Sequence, residues 1–203
     1  MFKKALIALS LCVGIQSAMA AMPPFNQKYE ANGKPIAEKP AVARDFIEFR
    51  TTRGFVNDGF KSLDGKPMSL DQFKGKLVVV DVWASWSESC LRNIPNQLLL
   101  QKRFNKEGSK VQVISIALDT KPKRLNKFIK KHNATELLTW YDPDKILYAH
   151  LPVDVTPSTF VLDGNGHLIG FVRGYIDWSD PAVPSYFEKL AEKYADRTKK
   201  AKK

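Results

Sequence analysis

LVVVDVWASWSESCLRNIP, residues 77–95, carries the strongest structural signal in the chain. Its first half is an apolar, β-branched run, which is typical of a strand buried on both faces. A short polar turn that holds Cys90 follows, and then a pattern with helical spacing that contains Pro95. Unpaired N–H groups and the positive end of the dipole at a helix N-terminus stabilise a thiolate. The stretch therefore predicts a strand, a turn and a helix around one candidate thiol.

The composition favours one globular domain with a hydrophobic core. The chain has 203 residues, of which 44% are hydrophobic and 26% are charged, and this length suits one core. Lys3 and Lys4, the apolar run at 5–15 and the small residues at 18–20 predict a secretory signal peptide cleaved after Ala20. The apolar run is too short to span a membrane. We therefore expect a periplasmic or otherwise exported protein with no transmembrane segment after cleavage.

Cysteine usage is the main functional clue. Cys12 lies inside the predicted signal, so Cys90 is predicted to be the only cysteine of the mature protein. An exported protein with one cysteine has no internal disulfide, so that its thiol is buried, paired with another molecule or reactive.

The charge of the chain is strongly positive. The net charge is +11, and removal of the signal takes away two lysines and no acids, which leaves +9. Residues 196–203 form a basic tail that we expect to be disordered and solvated, with contact to anionic surfaces as the alternative. No nucleic-acid recognition motif is visible. The sequence leaves the oligomeric state open.

The remaining patterns predict alternating strands and helices. Residues 21–54 read as an extended N-terminal segment, in which Phe46–Phe49 is a candidate edge strand. Helices are expected near 89–104, kinked at Pro95 and burying Leu98, Leu99, Leu100 and Phe104, near 122–131, and after Asp142-Pro143 and Asp180-Pro181. Further strands are expected at 111–117, 137–141, 158–162 and 167–172, and hairpin turns at Asp64-Gly65 and at 163–166.

Two motifs resemble a known family. DVWASWSESC (81–90) resembles the thioredoxin active-site segment D-F-W-A-x-W-C-x-x-C, and CLRNIP (90–95) resembles the C-x-x-E-x-P that follows it in the TlpA/ResA branch. Ser87 stands where that family has its attacking cysteine, and Cys90 stands at the position of the second, resolving cysteine. The resemblance implies an α/β thioredoxin-like fold over residues 55–195, with a central mixed β-sheet flanked by helices and an N-terminal extension.

The resemblance also implies a set of site residues. Asp81 matches the buried aspartate that serves as the base for the resolving cysteine, and Thr156 and Pro157 match the cis-proline loop that pairs with an extended substrate. Trp86 is expected to cover the thiol, whereas Trp83 is expected in the core. Ser87 is expected to cap the helix, or alternatively to donate a hydrogen bond to a sulfur or peroxide oxygen. Cys90 as a packed small hydrophobe and Asp81 as an acid solvated by a bound water stay open as alternatives.

Three functions follow from this pattern. The first is a monothiol redox step at Cys90 on a protein or peptide thiol or disulfide, completed by an external thiol, because ordinary dithiol turnover needs two sulfurs. The second is a redox-inactive module that holds an extended polypeptide in the cis-proline groove. A minor alternative is a peroxiredoxin-like peroxidase, since S-x-x-C resembles the T/S-x-x-C of that family. The three histidines are widely separated, so no metal and no cofactor is expected.

Overall fold

The computed structural model describes residues 39–151 and 153–196. The predicted signal peptide, residues 21–38 and the tail from residue 197 lie outside the described residues. The strands are β1 (Ile47–Arg53), β2 (Phe60–Ser62), β3 (Pro67–Met68), β4 (Leu77–Trp83), β5 (Val111–Ala117), β6 (Thr139–Tyr141), β7 (Ser158–Leu162) and β8 (Leu168–Arg173). The α-helices are α1 (Glu88–Phe104), α2 (Pro122–Lys131), α3 (Ile146–His150) and α4 (Val183–Tyr194), and 3-10 turns lie at Ala41–Ala43 and Leu70–Phe73.

The strands form one mixed sheet in the order β1-β8-β7-β4-β5-β6-β2-β3. β4 lies near its centre, parallel to β5 and antiparallel to β7, and all seven of its residues are buried. This agrees with its sequence, which is apolar apart from Asp81 and has the pattern of a strand covered on both faces. The register places Asp81 between Ser115 of β5 and Thr159 of β7.

Helices cover both faces of the sheet, as the predicted thioredoxin-like architecture requires. On one face, α1 and α4 bury Leu100, Phe104, Phe187 and Leu190 against β4 and β5. On the other face, α3 buries Leu147 against Val80 and Ile114. A further buried cluster joins the start of α1 to α2 and contains Cys90. Among the described residues, no helix combines the length and the hydrophobicity needed to cross a membrane.

The predicted edge strand is present and runs on to Arg53. β1 pairs antiparallel with β8, and it is also tied to α4, because the buried Glu48 carboxylate accepts hydrogen bonds from Lys193 and Tyr194. A Cβ atom at Gly170 would lie 2.3 Å from the carbonyl oxygen of Ile47. The glycine therefore permits the close approach of β1 and β8.

Three details differ from the sequence-based expectations. α3 begins at Ile146 and not at Asp142-Pro143, because the Asp142 carboxylate instead accepts hydrogen bonds from the N–H groups of Ile146 and Leu147. α4 likewise begins two residues after Asp180-Pro181. Leu99 was expected to be buried and is 60% exposed, since the buried stripe of α1 passes through Leu100 and Phe104. α1 continues through Pro95 to Phe104.

Candidate thiol site

Cys90 lies in the first turn of α1, just after the turn that leaves the carboxyl end of β4. The Ser87 hydroxyl accepts a hydrogen bond from the N–H of Cys90 at 3.4 Å, so Ser87 is the N-cap, as the sequence predicted. The Cys90 side chain packs in the same cluster as Trp83 and Ile94 and is only 2% exposed. The thiol is thus held at the helix N-terminus but is covered.

Burial dominates the electrostatics of this thiol. Desolvation raises the pKa of Cys90 above its ordinary value, and the negative charge of Asp81 adds to the increase. The polar groups of Ser87, of the Ala84 backbone and of Thr156 near the sulfur act in the opposite direction. The resting form of Cys90 is therefore the neutral thiol, and not the thiolate expected at a helix N-terminus. Burial outweighs the effect of these polar groups.

Asp81 is buried in the middle of the sheet. Desolvation raises the pKa of its carboxyl group to about 7. Its Oδ1 atom has no hydrogen-bond partner among the described residues, and its neighbours in register are the hydroxyl side chains of Ser115 and Thr159. Near neutral pH, the Asp81 carboxyl group can therefore either hold or accept a proton. It lies close enough to Cys90 to influence the pKa of the thiol.

The loop before β7 contacts the start of α1 through its backbone. The Thr156–Pro157 peptide bond is cis. The carbonyl oxygen of Thr156 accepts hydrogen bonds from the hydroxyls of Ser87 at 3.2 Å and Ser89 at 3.0 Å. We call this arrangement the serine–Thr156 contact. Sequence reasoning missed Ser89, although the second serine of the S-E-S turn was a visible signal for a further hydroxyl near the thiol.

Exposed apolar side chains surround this contact. Trp86, the expected cover near the thiol, is 55% exposed and lies on the turn just before Ser87. Val155, which precedes Thr156, is also exposed. Tyr175 is exposed too, and it follows Gly174, whose N–H donates to the carbonyl of Pro157. Trp83 is buried as expected, with its indole N–H donating to Thr139 Oγ1 at 3.0 Å.

The buried side of α1 is unusually polar beyond Cys90. Asn93 stands where the TlpA/ResA motif has a glutamate, and both Asn93 and Gln97 are buried. Their side-chain oxygens, Oδ1 and Oε1, lack hydrogen-bond partners within the described residues. Asn93 has no ionisable proton, so it cannot provide the carboxylate-assisted step that a glutamate could. Within the described parts of the chain, no group of three His, Cys, Asp or Glu side chains is arranged to hold a metal ion.

The fold and the site together define a class of protein. A helix N-terminal cysteine facing a cis-proline loop, on a central mixed sheet, is the arrangement that the thioredoxin resemblance implied. The sequence profile of a family described as thioredoxin-like matches residues 75–168. The chain therefore contains a thioredoxin-like domain.

Sequence relatives narrow the class. The chain is 26% identical over 145 residues to the thiol-disulfide oxidoreductase ResA of Geobacillus thermodenitrificans. The aligned region covers 71% of this chain and 78% of the relative. It is 24% identical over 111 residues to ResA of Bacillus subtilis, covering 55% of this chain and 60% of the relative. The protein is thus related to the ResA-type thiol-disulfide oxidoreductases.

Solved structures agree on the fold. A secreted thiol-disulfide isomerase from Corynebacterium glutamicum superposes with a TM-score of 0.59 at 18% identity, covering 78% of this chain and 97% of that chain. The exposed lipoprotein thioredoxin Etrx1 of Streptococcus pneumoniae gives a TM-score of 0.55 at 24% identity, covering 66% and 99%. At these identities the likeness concerns the fold alone.

Proposed function

We propose that the protein is an exported thiol-disulfide exchange protein that works through the single thiol of Cys90. The observation that carries the proposal is the placement of Cys90 in the first turn of α1, where the cis-proline loop is bonded to Ser87 and Ser89 on the same turn. The N–H groups and the positive dipole end of a helix N-terminus favour the thiolate, the form that attacks disulfides, once a substrate reaches the sulfur. The relation to ResA-type oxidoreductases supports the same chemistry. The predicted signal at residues 1–20 supports export.

The proposed step is a simple exchange. The Cys90 thiol gives its proton to Asp81 or to water, and the thiolate attacks one sulfur of a protein or peptide disulfide. A Cys90–S–S bond forms, the substrate S–S bond breaks, and the second substrate sulfur leaves as a thiolate. The thiolate of an external thiol then attacks the substrate sulfur of the mixed disulfide, a disulfide forms between those two sulfurs, and Cys90 leaves as a thiolate, so that no net oxidation of the protein takes place.

Access to the sulfur depends on the serine–Thr156 contact. Because Cys90 is only 2% exposed, a substrate disulfide reaches it only when the loop at Thr156 separates from the start of α1. This separation breaks the two hydrogen bonds from Ser87 and Ser89, whose combined net contribution is on the order of 1 to 3 kcal/mol. Opening on this scale is compatible with a slow but native-state reaction.

Incubation of the native protein with glutathione disulfide tests the proposal. We expect one glutathione per protein by intact mass, its release by added thiol, and no addition to the Cys90→Ala variant. The denatured protein serves as the positive control for a free sulfur. Absence of the adduct in the native state, together with its formation after denaturation, would show that Cys90 takes no part in exchange.

A second candidate function is favoured by the exposed side chains around the loop. Trp86, Val155 and Tyr175 lie at the cis-proline loop, and such a rim suits a redox-inactive module that holds an extended polypeptide. In that case peptide binding persists in Cys90→Ala and weakens in Trp86→Ala. Loss of binding in Cys90→Ala would exclude this second function.

A further inference from the structure

α2 presents a dense row of positive charge to solvent. Five cationic side chains of α2 and that of its N-cap residue, together called the α2 basic face, are all exposed: Lys121, Lys123, Arg124, Lys127, Lys130 and Lys131. Residues 120–135 contain no acid, and across the described ranges none of the six forms an ion pair. Elsewhere in the molecule, lysine and arginine side chains do find acids, as in the pairs Lys66–Asp64 and Lys110–Asp196.

This row of charge is unfavourable for the helix that carries it. Lys123 and Arg124 lie in the first turn, where the helix dipole disfavours cations, and the helix has no acid there and no side-chain N-cap. Lys127 lies four residues after Lys123 and four before Lys131, and like charges at this spacing repel one another. These charges destabilise the helix, and no acid within the described residues pairs with them. Local sequences that destabilise their own element in this way are expected at functional surfaces.

The α2 basic face borders the thiol site. On its inner side, Leu125 and Ile129 share a buried cluster with Cys90, and the Phe128 ring lies 5.9 Å from the ring of Trp83. The loop that leads into α2 is also joined to the turn before α1, because the Asp119 carboxylate accepts a hydrogen bond from the N–H of Ser85 at 2.9 Å. A chain bound on this face therefore lies on a helix whose other side packs around Cys90.

We propose that the α2 basic face is a docking surface for an acidic polypeptide. A polypeptide fits better than a lipid surface, because Leu125 and Ile129 are turned into the core and α2 exposes no large apolar side chain that could enter a bilayer. The proposal rests on the proposed function in one respect: it names the substrate class, a thiol- or disulfide-containing polypeptide with acidic residues near the reacting sulfur. Binding itself does not require Cys90.

Binding of a labelled glutamate-rich peptide to the full mature chain tests this proposal. Measurements are made near 0.15 M ionic strength, where the Debye length is about 8 Å. Only charges close to the bound peptide then contribute to its affinity. A glutamine-rich peptide of equal length is the neutral comparison, and phosphatidylglycerol vesicles are the lipid comparison. The variant Lys123→Gln/Lys127→Gln/Lys130→Gln is matched by Lys66→Gln/Lys102→Gln/Lys106→Gln, which removes the same charge elsewhere.

We expect the acidic peptide to bind more tightly than the neutral one, and the α2 triple variant to weaken binding about tenfold. The matched variant is expected to change the affinity less than about twofold, and Cys90→Ala to leave it unchanged. Equal losses in both triple variants, or no binding of the acidic peptide, would overturn the proposal. Vesicle binding without peptide binding would overturn it in favour of a lipid surface. The glutathione experiment is independent of all these outcomes, so the thiol function and the docking surface can fail separately.

Discussion

Asp81 shows how one residue can couple stability to chemistry. A carboxylate inside an apolar strand is unfavourable, and its unpartnered Oδ1 leaves that penalty uncompensated within the described residues. The protonated form is favoured instead, so the pKa rises to about 7. Asp81 lies close enough to Cys90 to affect the pKa of its thiol, which suits a group that accepts the proton of Cys90.

Replacement of Asp81 by asparagine tests this assignment through stability. The folded-state pKa is raised, so the native state holds its proton more tightly than the unfolded chain, and the contribution of Asp81 to stability falls as pH rises from about 4 to about 7. The lost contribution is on the order of 4 kcal/mol at most. We expect Asp81→Asn to be more stable than the parent protein at pH 8 but not at pH 4, by denaturant unfolding. A constant difference between the two proteins at both pH values would contradict a raised pKa.

Ser87 and Ser89 form a matched pair of variants, because both donate to the Thr156 carbonyl but only Ser87 also accepts a hydrogen bond from the N–H of Cys90. Ser89→Ala is expected to speed alkylation of Cys90 about fivefold by weakening the contact by about 1 kcal/mol, without a change in the apparent pKa of the thiol. Ser87→Ala is expected to raise that pKa further and to lower stability by about 1 kcal/mol through loss of the cap. Rates measured against pH separate these effects. Identical profiles for the two variants would refute the distinct roles.

At the scale of elements, β1 is an edge strand that pairs with a single neighbouring strand, β8. It lies at the edge, its backbone passes close to Gly170, and Glu48 fixes it to α4. β1 thereby covers the edge of β8. β8 pairs with β7, the strand that follows the cis-proline loop.

A methyl group at Gly170 is expected to separate β1 from β8. It would meet the Ile47 carbonyl and the Phe46 ring, and overpacking of this kind costs typically about 1 to 3 kcal/mol. Gly54→Ala is the control, because no atom lies within 4 Å of the added Cβ atom there. Thermal unfolding of both variants measures the effect, and equal stability would mean that β1 adjusts freely.

Elements with continuous patterns could be predicted from the sequence. β4, β5 and α2 begin and end where their apolar runs or helical spacing indicated, because each pattern is set by residues within the element. α3 could not be placed, since its start depends on Lys145 in a left-handed conformation and on a carboxylate four residues before Ile146. Such interactions leave no periodic signal.

At the scale of the whole molecule, the motif identified the residues of the site. It did not predict their contacts or the direction in which the pKa of Cys90 is shifted. Cys90, Asp81 and Pro157 could be named because their spacing resembles a known active site. The serine–Thr156 contact joins residues 67 and 69 positions apart, so its existence depends on the fold. The direction of the Cys90 pKa likewise follows from the whole environment, in which burial outweighs the polar groups near the sulfur.

The central claim is that Cys90 reacts as a thiol in the folded protein, and its alkylation rate against pH tests this most directly. We predict slow modification at neutral pH, an apparent pKa above the roughly 8.5 of a free thiol, and a rate faster than global unfolding measured by circular dichroism under the same conditions. Modification only at the rate of global unfolding would contradict the account, because Cys90 would then be a packed core residue with no access to a substrate disulfide.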